Sequence, residues 1–262
     1  MDCDCRLIRT LTHMTRRRFF ASPDAIVDGR ATLSADETQH LRNVLRLNMG
    51  DEVYVFDGAG CEFRGEIEAI GRDGARIQLA EEVAPAAAES GLNLTMAVAL
   101  LKGEKFDLAL QKLTELGVTG VVPIITTRAD VRIRNDDDAD RKLIRWRRIV
   151  MEATKQCGRA RLLTVARPVT FEQLIVSSPV ERAARLMFSE RGGALFRDAH
   201  FAKGCDRITA LGGSEGGWTD EEITQARDAG WQVITMGGRI MRAETAAIVC
   251  AALLQHRLGD LN

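Results

Sequence analysis

Short runs of alternating apolar and polar residues fill the first third of the chain, between residues 16 and 82. Turn sequences such as Asp57-Gly58 separate these runs. Alternation with a period of two residues is typical of strands that expose one face, and turns this frequent favour a small antiparallel β-barrel. The predicted strands lie at 53–56, 61–70 and 75–79.

One helix interrupts these predicted strands. Ser34-Ala35-Asp36-Glu37 has the spacing of a capping box, in which Ser34 and Glu37 satisfy each other's free amides at the start of a helix. We expect that helix to carry His40, Arg42 and Arg46.

A different pattern begins at residue 92, where short apolar runs alternate with amphipathic segments. Strands are predicted at 92–101, 121–125, 186–188, 208–211 and 233–236, and helices at 104–116, 139–157, 219–229 and in a last segment that ends near 258. Such alternation indicates an α/β domain in which helices cover both faces of a mostly parallel sheet. Because the alanine-rich stretch 83–91 is the only credible linker, the pattern predicts a barrel at 16–84 and an α/β domain at 92–262. Residues 1–15 are interpreted as a flexible leader, with a start codon placed too early as the alternative explanation for their lack of pattern.

The composition is that of an ordered protein, since 45% of the 262 residues are hydrophobic and 28% are charged. No apolar run approaches the roughly 20 residues that cross a bilayer. The N-terminus also lacks the apolar stretch of a secretory signal, so we expect a cytoplasmic protein without a membrane partner. Six cysteines and four histidines are scattered without the spacing of a metal site, so we expect no metal and reduced thiols.

Positive charge is concentrated in two places, although the formal net charge is only -1. Residues 139–161 include eight basic residues against two acidic ones, and Arg16-Arg17-Arg18 forms a second cluster. A single basic cluster is most often a solvated helix face. Two clusters make a polyanion partner such as RNA an equal alternative, and the charge pattern does not decide between these interpretations.

Two glycine-rich loops follow predicted strands of the α/β domain. The first glycine loop comprises residues 212–217 (Gly-Gly-Ser-Glu-Gly-Gly), and the second glycine loop comprises residues 237–242 (Gly-Gly-Arg-Ile-Met-Arg). Ligands of parallel α/β sheets bind beyond the carboxyl ends of the strands, and glycine lets the main chain approach a ligand closely. Most single glycine loops are only tight turns, but a pair in one sheet predicts a small-molecule pocket.

Several common kinds of pocket do not match these loops. A dinucleotide site needs three glycines in its first strand–helix turn, and the corresponding turn at 101–105 has one. No lysine follows a glycine loop as it does in nucleoside triphosphatases, and no Ser-His-acid set can be distinguished among four histidines.

The last predicted helix is apolar on all sides, because residues 246–254 are nine consecutive apolar or small residues. A helix of this kind is buried on most of its surface. It either lies in the core of a large domain or is also covered by a second subunit, and we favour the second arrangement.

Both glycine loops resemble those of one known family. Gly213-Ser214-Glu215-Gly216-Gly217 resembles the Gly-Pro-Glu-Gly-Gly loop of the RsmE-type 16S rRNA (uracil-N3) methyltransferases, which belong to the SPOUT superfamily. The segment 237–246 resembles their second cofactor loop, commonly Gly-Pro-Arg-Ile-Leu-Arg-x-Glu-Thr-Ala. Further matches lie at 18–20, 40–46, 102–105, 111–117 and 156–159, so that the resemblance extends from about residue 16 to the C-terminus.

The resemblance implies a PUA-like β-barrel, a SPOUT α/β domain with a deep trefoil knot, and an obligate homodimer. It implies methyl transfer from S-adenosyl-L-methionine to N3 of a uridine in 16S rRNA, within the small ribosomal subunit. It places Arg18, Arg46 and Arg159 at the RNA. The cofactor-binding residues that it implies are Phe188, Ser189, Glu190, Leu211, Gly212, Gly213, Glu215, Gly216, Met236, Gly237, Gly238, Ile240, Met241, Arg242 and Thr245.

Arg242 is the candidate catalytic residue of the implied reaction. N3 of uracil carries a proton at neutral pH, and a cation beside O2 or O4 stabilises the anion left by its loss. A structural ion pair of Arg242 is a nearly equal alternative. Glu215 could act as a base or fix its loop, and Glu244, near the start of the last helix, is better explained by the helix dipole.

The chain departs from the family pattern at Ser214 and Gly238, where proline is usual, and at Met241. Because proline restricts φ, we expect these loops to be more flexible when empty and to bind the cofactor less tightly. Two other functions stay open: a SPOUT enzyme that methylates a 2′-hydroxyl or a tRNA base, and a non-catalytic RNA-binding factor. The nearly complete second cofactor loop argues against the latter.

Overall fold

A computed structural model of the chain describes residues 16–72, 74–176 and 183–261. The leader predicted at 1–15, with Cys3 and Cys5, lies outside the described residues. The chain divides into two compact units. One comprises the N-terminal residues through Glu89 together with Thr154–Leu162, and the other comprises Ser90–Ala153 with Leu163–Asn262. The segment Thr154–Leu162 thus groups with the first unit, although it lies far beyond the predicted linker.

The first unit is built on a curled six-stranded sheet. Its strands are β1 (Arg18–Phe20), β2 (Ile26–Val27), β3 (Arg30–Thr32), β4 (Glu52–Phe56), β5 (Glu62–Ile70) and β6 (Ala75–Val83). Their order is β1-β4-β5-β6-β3-β2, and the pairings are antiparallel except that of β1 with β4. The predicted alternation is present, because Val53, Val55 and Ile77 all point into the buried core.

The helix predicted after Ser34 is shorter and less regular than its sequence indicates. Helix α1 (Ala35–Gln39) is followed by one π-helical turn (His40–Val44). Ser34 accepts the Glu37 N–H at 3.3 Å, but the Glu37 carboxylate pairs with Lys155 at 2.8 Å. The predicted capping box is therefore only half formed, since a long-range ion pair takes the carboxylate that would have closed it.

The second unit is built on a parallel sheet, as the alternating pattern predicts. Its strands are β7 (Asn93–Ala99), β8 (Gly120–Ile125), β9 (Thr164–Val165), β10 (Val169–Thr170), β11 (Ala183–Phe188), β12 (Ala194–Leu195), β13 (Arg207–Gly212) and β14 (Gln232–Thr235). The order is β10-β8-β7-β13-β11-β14-β12, with β9 paired to β8, and all these pairings are parallel. The helices are α2 (Lys105–Glu115), most of α3 (Asp136–Cys157), α4 (Phe171–Ile175), α5 (Asp220–Asp228) and α6 (Ala243–Leu258).

A complete capping box fixes the start of α5. Thr219 accepts the Glu222 N–H at 3.0 Å, and the Glu222 carboxylate accepts the Thr219 N–H at 2.8 Å. The other oxygen of this buried carboxylate accepts the Thr127 N–H at 2.9 Å. The helix predicted at 219–229 is confirmed, and its capping box also joins α5 to the chain that leaves β8.

One face of helix α6 is buried within this chain, and the other face is only partly covered. It packs against α2, β7 and β13. The side chains on the covered face are those of Ala247, Cys250, Ala251 and Leu254. Ile248, Val249, Ala252 and Leu253 are only half-buried. Within a single chain, residues 246–254 are thus all buried or half-buried, and one face keeps part of its apolar surface exposed.

Three further properties concern the described residues alone. None of their helices is both long and apolar enough to cross a bilayer. In the same ranges, no group of three or more His, Cys, Asp and Glu side chains is arranged to hold a metal ion. Cys61, Cys157, Cys205 and Cys250 are free thiols.

Candidate functional site

The carboxyl ends of three adjacent strands, β13, β11 and β14, meet at a cavity of the second unit. The cavity has a volume of about 340 Å³. The first glycine loop leaves β13 and the second leaves β14, and both line it. The two loops that were predicted to form one pocket therefore do lie together, at the sheet edge where ligands of parallel folds bind.

Most of the residues predicted to bind the cofactor line this cavity. They are Phe188, Ser189, Glu190, Gly213, Glu215, Gly216, Met236, Gly237, Gly238, Ile240 and Met241. Leu211 and Gly212 are instead buried in β13, and Arg242 and Thr245 are exposed and do not line the cavity.

Several residues that line the cavity were not among those predicted to bind the cofactor. They are Ser214, Gly217, Trp218, Thr235, Arg239, Ala243 and Ala246. All of them are within three residues of a predicted position in the chain. Ser214, Gly217 and Arg239 already lie within the two predicted loops, and extending these loops to their flanking residues would have found the others.

Trp218 fixes the first glycine loop from within the core. Its side chain is 1% exposed, and its indole N–H donates to the Phe188 carbonyl at 2.8 Å. The Trp218 carbonyl accepts from Arg128 at 3.1 Å and from Arg191 at 2.8 Å. A Cβ at Gly213 would lie 3.1 Å from the indole ring, so glycine is what permits this close contact.

Charged side chains hold the outer end of the same loop. Arg128 donates to the Gly216 carbonyl at 3.2 Å, and Lys105 pairs with Glu215 at 2.8 Å. Burial raises the pKa of Glu215, but hydrogen bonds from Lys105 and from the backbone N–H groups of Glu215 and Lys102 outweigh it, so that this pKa lies below its ordinary value. A carboxylate that is stabilised in its ionised form and already paired is a poor base. The geometry therefore favours the role of Glu215 in fixing its loop.

The second glycine loop has far fewer contacts. Gly237 and Gly238 have left-handed φ angles of 69° and 75°, and a Cβ at Gly238 would meet no atom within 4 Å. Ile240 is 91% exposed. Across the described ranges, the side chains of Arg239 and Arg242 have no hydrogen-bond or ion-pair partner, so the structural ion pair considered for Arg242 is not formed there.

Two of the arginines predicted to bind RNA lie inside the first unit. Arg18 is 7% exposed and Arg159 is 3% exposed. Arg18 pairs with Glu62 at 2.9 Å and donates to main-chain carbonyls of 154–159, and Arg159 pairs with Glu89 at 2.8 Å. Neither guanidinium group is available to a phosphate, which corrects the prediction that these two side chains contact RNA.

Arg46, the third predicted RNA contact, is exposed and conformationally unusual. It follows the π-helical turn rather than lying in a helix, and its φ of 52° is left-handed. Such strain in a residue other than glycine concentrates at functional positions. Arg42 is exposed nearby, and neither arginine has a side-chain partner in the part of the chain that the structure describes. Val44 and Met49 are 64% and 67% exposed beside them.

Comparison with known proteins covers both units. The RNA methyltransferase domain family model matches residues 88–255, and the RNA methyltransferase PUA domain model matches residues 33–80. The ribosomal RNA small subunit methyltransferase E of Synechocystis sp. is 36% identical over 247 residues, which cover 92% of this chain and 78% of the relative.

Two similar solved structures contain a bound cofactor. A ribosomal RNA small subunit methyltransferase E from Neisseria gonorrhoeae, bound to S-adenosyl methionine, is 31% identical with a TM-score of 0.84, over 94% of this chain and 100% of that chain. A methyltransferase from Legionella pneumophila with bound SAM is 29% identical with a TM-score of 0.85, over 94% of this chain and 99% of that chain. The similarity therefore extends over nearly all of the chain.

Proposed function

Because this chain belongs to the ribosomal RNA small subunit methyltransferase E family, we propose that it transfers a methyl group from S-adenosyl-L-methionine to N3 of a uridine in 16S rRNA. The observation that carries this proposal is the single cavity lined by both glycine loops. Relatives of the same fold hold S-adenosyl methionine, which supports the choice of cofactor.

The residues that line the cavity fit this cofactor. Its volume of about 340 Å³ is within the range of small-molecule sites. Phe188, Met236 and Ile240 offer apolar surface to an adenine ring, while the glycine main chain offers N–H and C=O groups to its polar edge. Glu190 complements the positive charges of the cofactor, and the unpaired Arg239 complements its carboxylate.

The chain's own residues contribute charge and positioning to the reaction. When bound, the cofactor supplies a methyl group carried on a positively charged sulfur. The two glycine loops align the donor with the base, which is the main requirement of a methyl transfer. Arg242, exposed at the end of the second loop, is the proposed cation that stabilises the uracil anion as N3 loses its proton to solvent water. Glu215 holds the first loop through Lys105.

We place the RNA contact of the first unit at the surface around Arg46. Arg42 and Arg46 supply cations without a competing carboxylate in the described residues, and Val44 and Met49 supply exposed apolar surface for an unstacked base. Contacts to phosphate position an RNA, and apolar contacts to bases add affinity that salt does not screen.

We propose that the protein acts as a homodimer. Support comes from α6, where the half-buried Ile248, Val249 and Leu253 form an apolar surface that a second copy would cover. We also propose the deep trefoil knot of the SPOUT domain. Helix α6 follows β14 but packs on β7 and β13, on the other side of β11, and a return of this kind is compatible with a knot. Because the proposed substrate is a ribosomal RNA, we propose that the activity is cytoplasmic.

The test is methylation of ribosomal particles that lack the modification. Small ribosomal subunits and free 16S rRNA from a strain without its own family member, and unmodified tRNA transcripts, are incubated separately with the protein and methyl-labelled cofactor. Each RNA is then digested to nucleosides for mass spectrometry. We expect label on N3 of uridine in the assembled subunit. Label on a 2′-hydroxyl or on a tRNA base would indicate a different SPOUT activity, and RNA retention without label would indicate a non-catalytic factor.

A further inference from the structure

A short segment between β11 and β13, here called the wall segment, packs behind residues that line the cavity. This wall segment comprises residues 193–201 and includes β12, the two-residue edge strand that pairs with the end of β14. Leu195 lies against the second glycine loop, since a Cβ at Gly237 would be 3.6 Å from its side chain. Phe196 packs on Phe188, a cavity residue, with ring centroids 5.9 Å apart.

The wall segment has little means of holding itself in place. Both residues of β12 are exposed, and the following 3₁₀ turn (Phe196–Asp198) has no side-chain cap and no buried residue. Short segments with few buried contacts open locally at low cost in free energy. Contacts from elsewhere in the unit therefore hold this segment. At its far end the Gln232 side chain accepts from the His200 N–H at 3.1 Å and donates to the His200 carbonyl at 2.8 Å.

Arg257, in the last turn of α6, holds the middle of the wall segment. One guanidinium nitrogen donates to the Phe196 carbonyl at 2.6 Å and the other donates to the Ala199 carbonyl at 3.0 Å. The same group lies 5.4 Å from the ring centroid of Phe196 and 4.9 Å from that of Phe201. A planar fork that bridges two carbonyls and stacks on two aromatic rings is a role that arginine fills and lysine does not.

The start of α6 is also part of the site, because Ala243 and Ala246 line the cavity. One helix thus contributes cavity residues at its first turns and, at its last turn, anchors the segment that packs behind Phe188 and Gly237. We propose that Arg257 is a positioning residue: it fixes the wall segment against the second glycine loop and thereby raises the affinity for the cofactor. This inference rests on the proposed function, because the ligand considered is S-adenosyl-L-methionine.

The experiment combines calorimetry with hydrogen exchange on the full chain. For Arg257→Ala we expect the affinity for S-adenosyl-L-methionine to fall about tenfold, because two charge-assisted hydrogen bonds no longer order the wall. Amide exchange in 194–201 of the ligand-free protein should accelerate while exchange in β7 and β13 stays unchanged. Arg257→Lys should show a smaller shift of both. Arg197→Ala is the matched control, because Arg197 lies in the same segment but its side chain is 80% exposed and pairs with the adjacent Asp198 at 3.8 Å.

Unchanged cofactor affinity in Arg257→Ala would overturn the inference, and so would a loss of affinity that merely follows a lower urea midpoint. If Arg257→Ala does not fold, the same comparison is made with Arg257→Lys. If the wild-type protein binds no S-adenosyl-L-methionine, the proposed function fails and the effect on affinity fails with it. The exchange of 194–201 would still show whether Arg257 holds the wall.

Discussion

The two glycine loops line the same cavity but are held in different ways. Trp218 packs beneath the first loop. Arg128 donates to the Gly216 carbonyl of this loop, and Lys105 pairs with its Glu215 carboxylate. The second has two consecutive left-handed glycines, and in the described residues its two arginine side chains have no partner.

This difference indicates that the two loops have different roles within the site. A loop that is already in place costs little conformational entropy when a ligand arrives, whereas a loop with few contacts must be ordered by the ligand itself. The first loop therefore provides a preformed binding surface for the cofactor. The second loop is free to take its final shape when donor and RNA are both present, which suits a loop that carries the proposed catalytic cation.

The largest effect expected from this comparison concerns turnover. Arg242→Ala should lower kcat by about 10²- to 10³-fold, the usual cost of removing a positioned charge from a developing anion, while cofactor affinity stays within about threefold. Arg239→Ala removes the same charge from the same loop and is the control; at saturating cofactor its turnover should fall much less. Single-turnover methylation and calorimetry separate the two quantities. Unchanged turnover in Arg242→Ala would remove this side chain from the mechanism.

The preformed state of the first loop predicts the next largest effect, on cofactor affinity. A Cβ at Gly216 would lie 2.8 Å from the Arg128 Cβ and 3.0 Å from the Arg128 main-chain oxygen. Because backbone cannot move aside easily, Gly216→Ala should displace the loop and weaken binding about 100-fold, equivalent to about 2.7 kcal/mol. An unaltered circular dichroism spectrum and urea midpoint would show that the fold survives. Tight binding by this variant would mean that the first loop is as adaptable as the second.

The glycine pattern predicted both loops because the requirement for glycine is local. Left-handed φ angles at Gly217 and Gly237 depend on a few bonds, and the sequence shows where the chain needs them. The capping box at Thr219 was predictable for the same reason. The side chains that hold the first loop were not, since Trp218 and Arg128 meet across 90 positions of the chain.

The burial of individual arginines was not predictable from the sequence either. Arg18 lies in a run of three arginines, a pattern typical of a solvated or RNA-binding surface. It is buried because Glu62, 44 positions away, is also buried and pairs with it. A buried charge needs a partner, and the sequence does not show which distant carboxylate provides one. Arg46, whose exposure follows from a local turn, stays a prediction for RNA binding.

The smallest expected effect separates the two loops most sharply. The family pattern that the second loop resembles has proline at the position of Gly238, and proline requires φ near −65°, which the left-handed φ of 75° observed here does not satisfy. Gly238→Pro should therefore exclude the empty conformation and favour a bound one, raising cofactor affinity about two- to fivefold. Ser214→Pro, the same change in the loop that is already held, should alter affinity less than twofold. Calorimetry on both variants makes the comparison. A tenfold loss in Gly238→Pro would mean that the second loop keeps its left-handed turn around the ligand, so that both loops, and not one, are formed before the cofactor arrives.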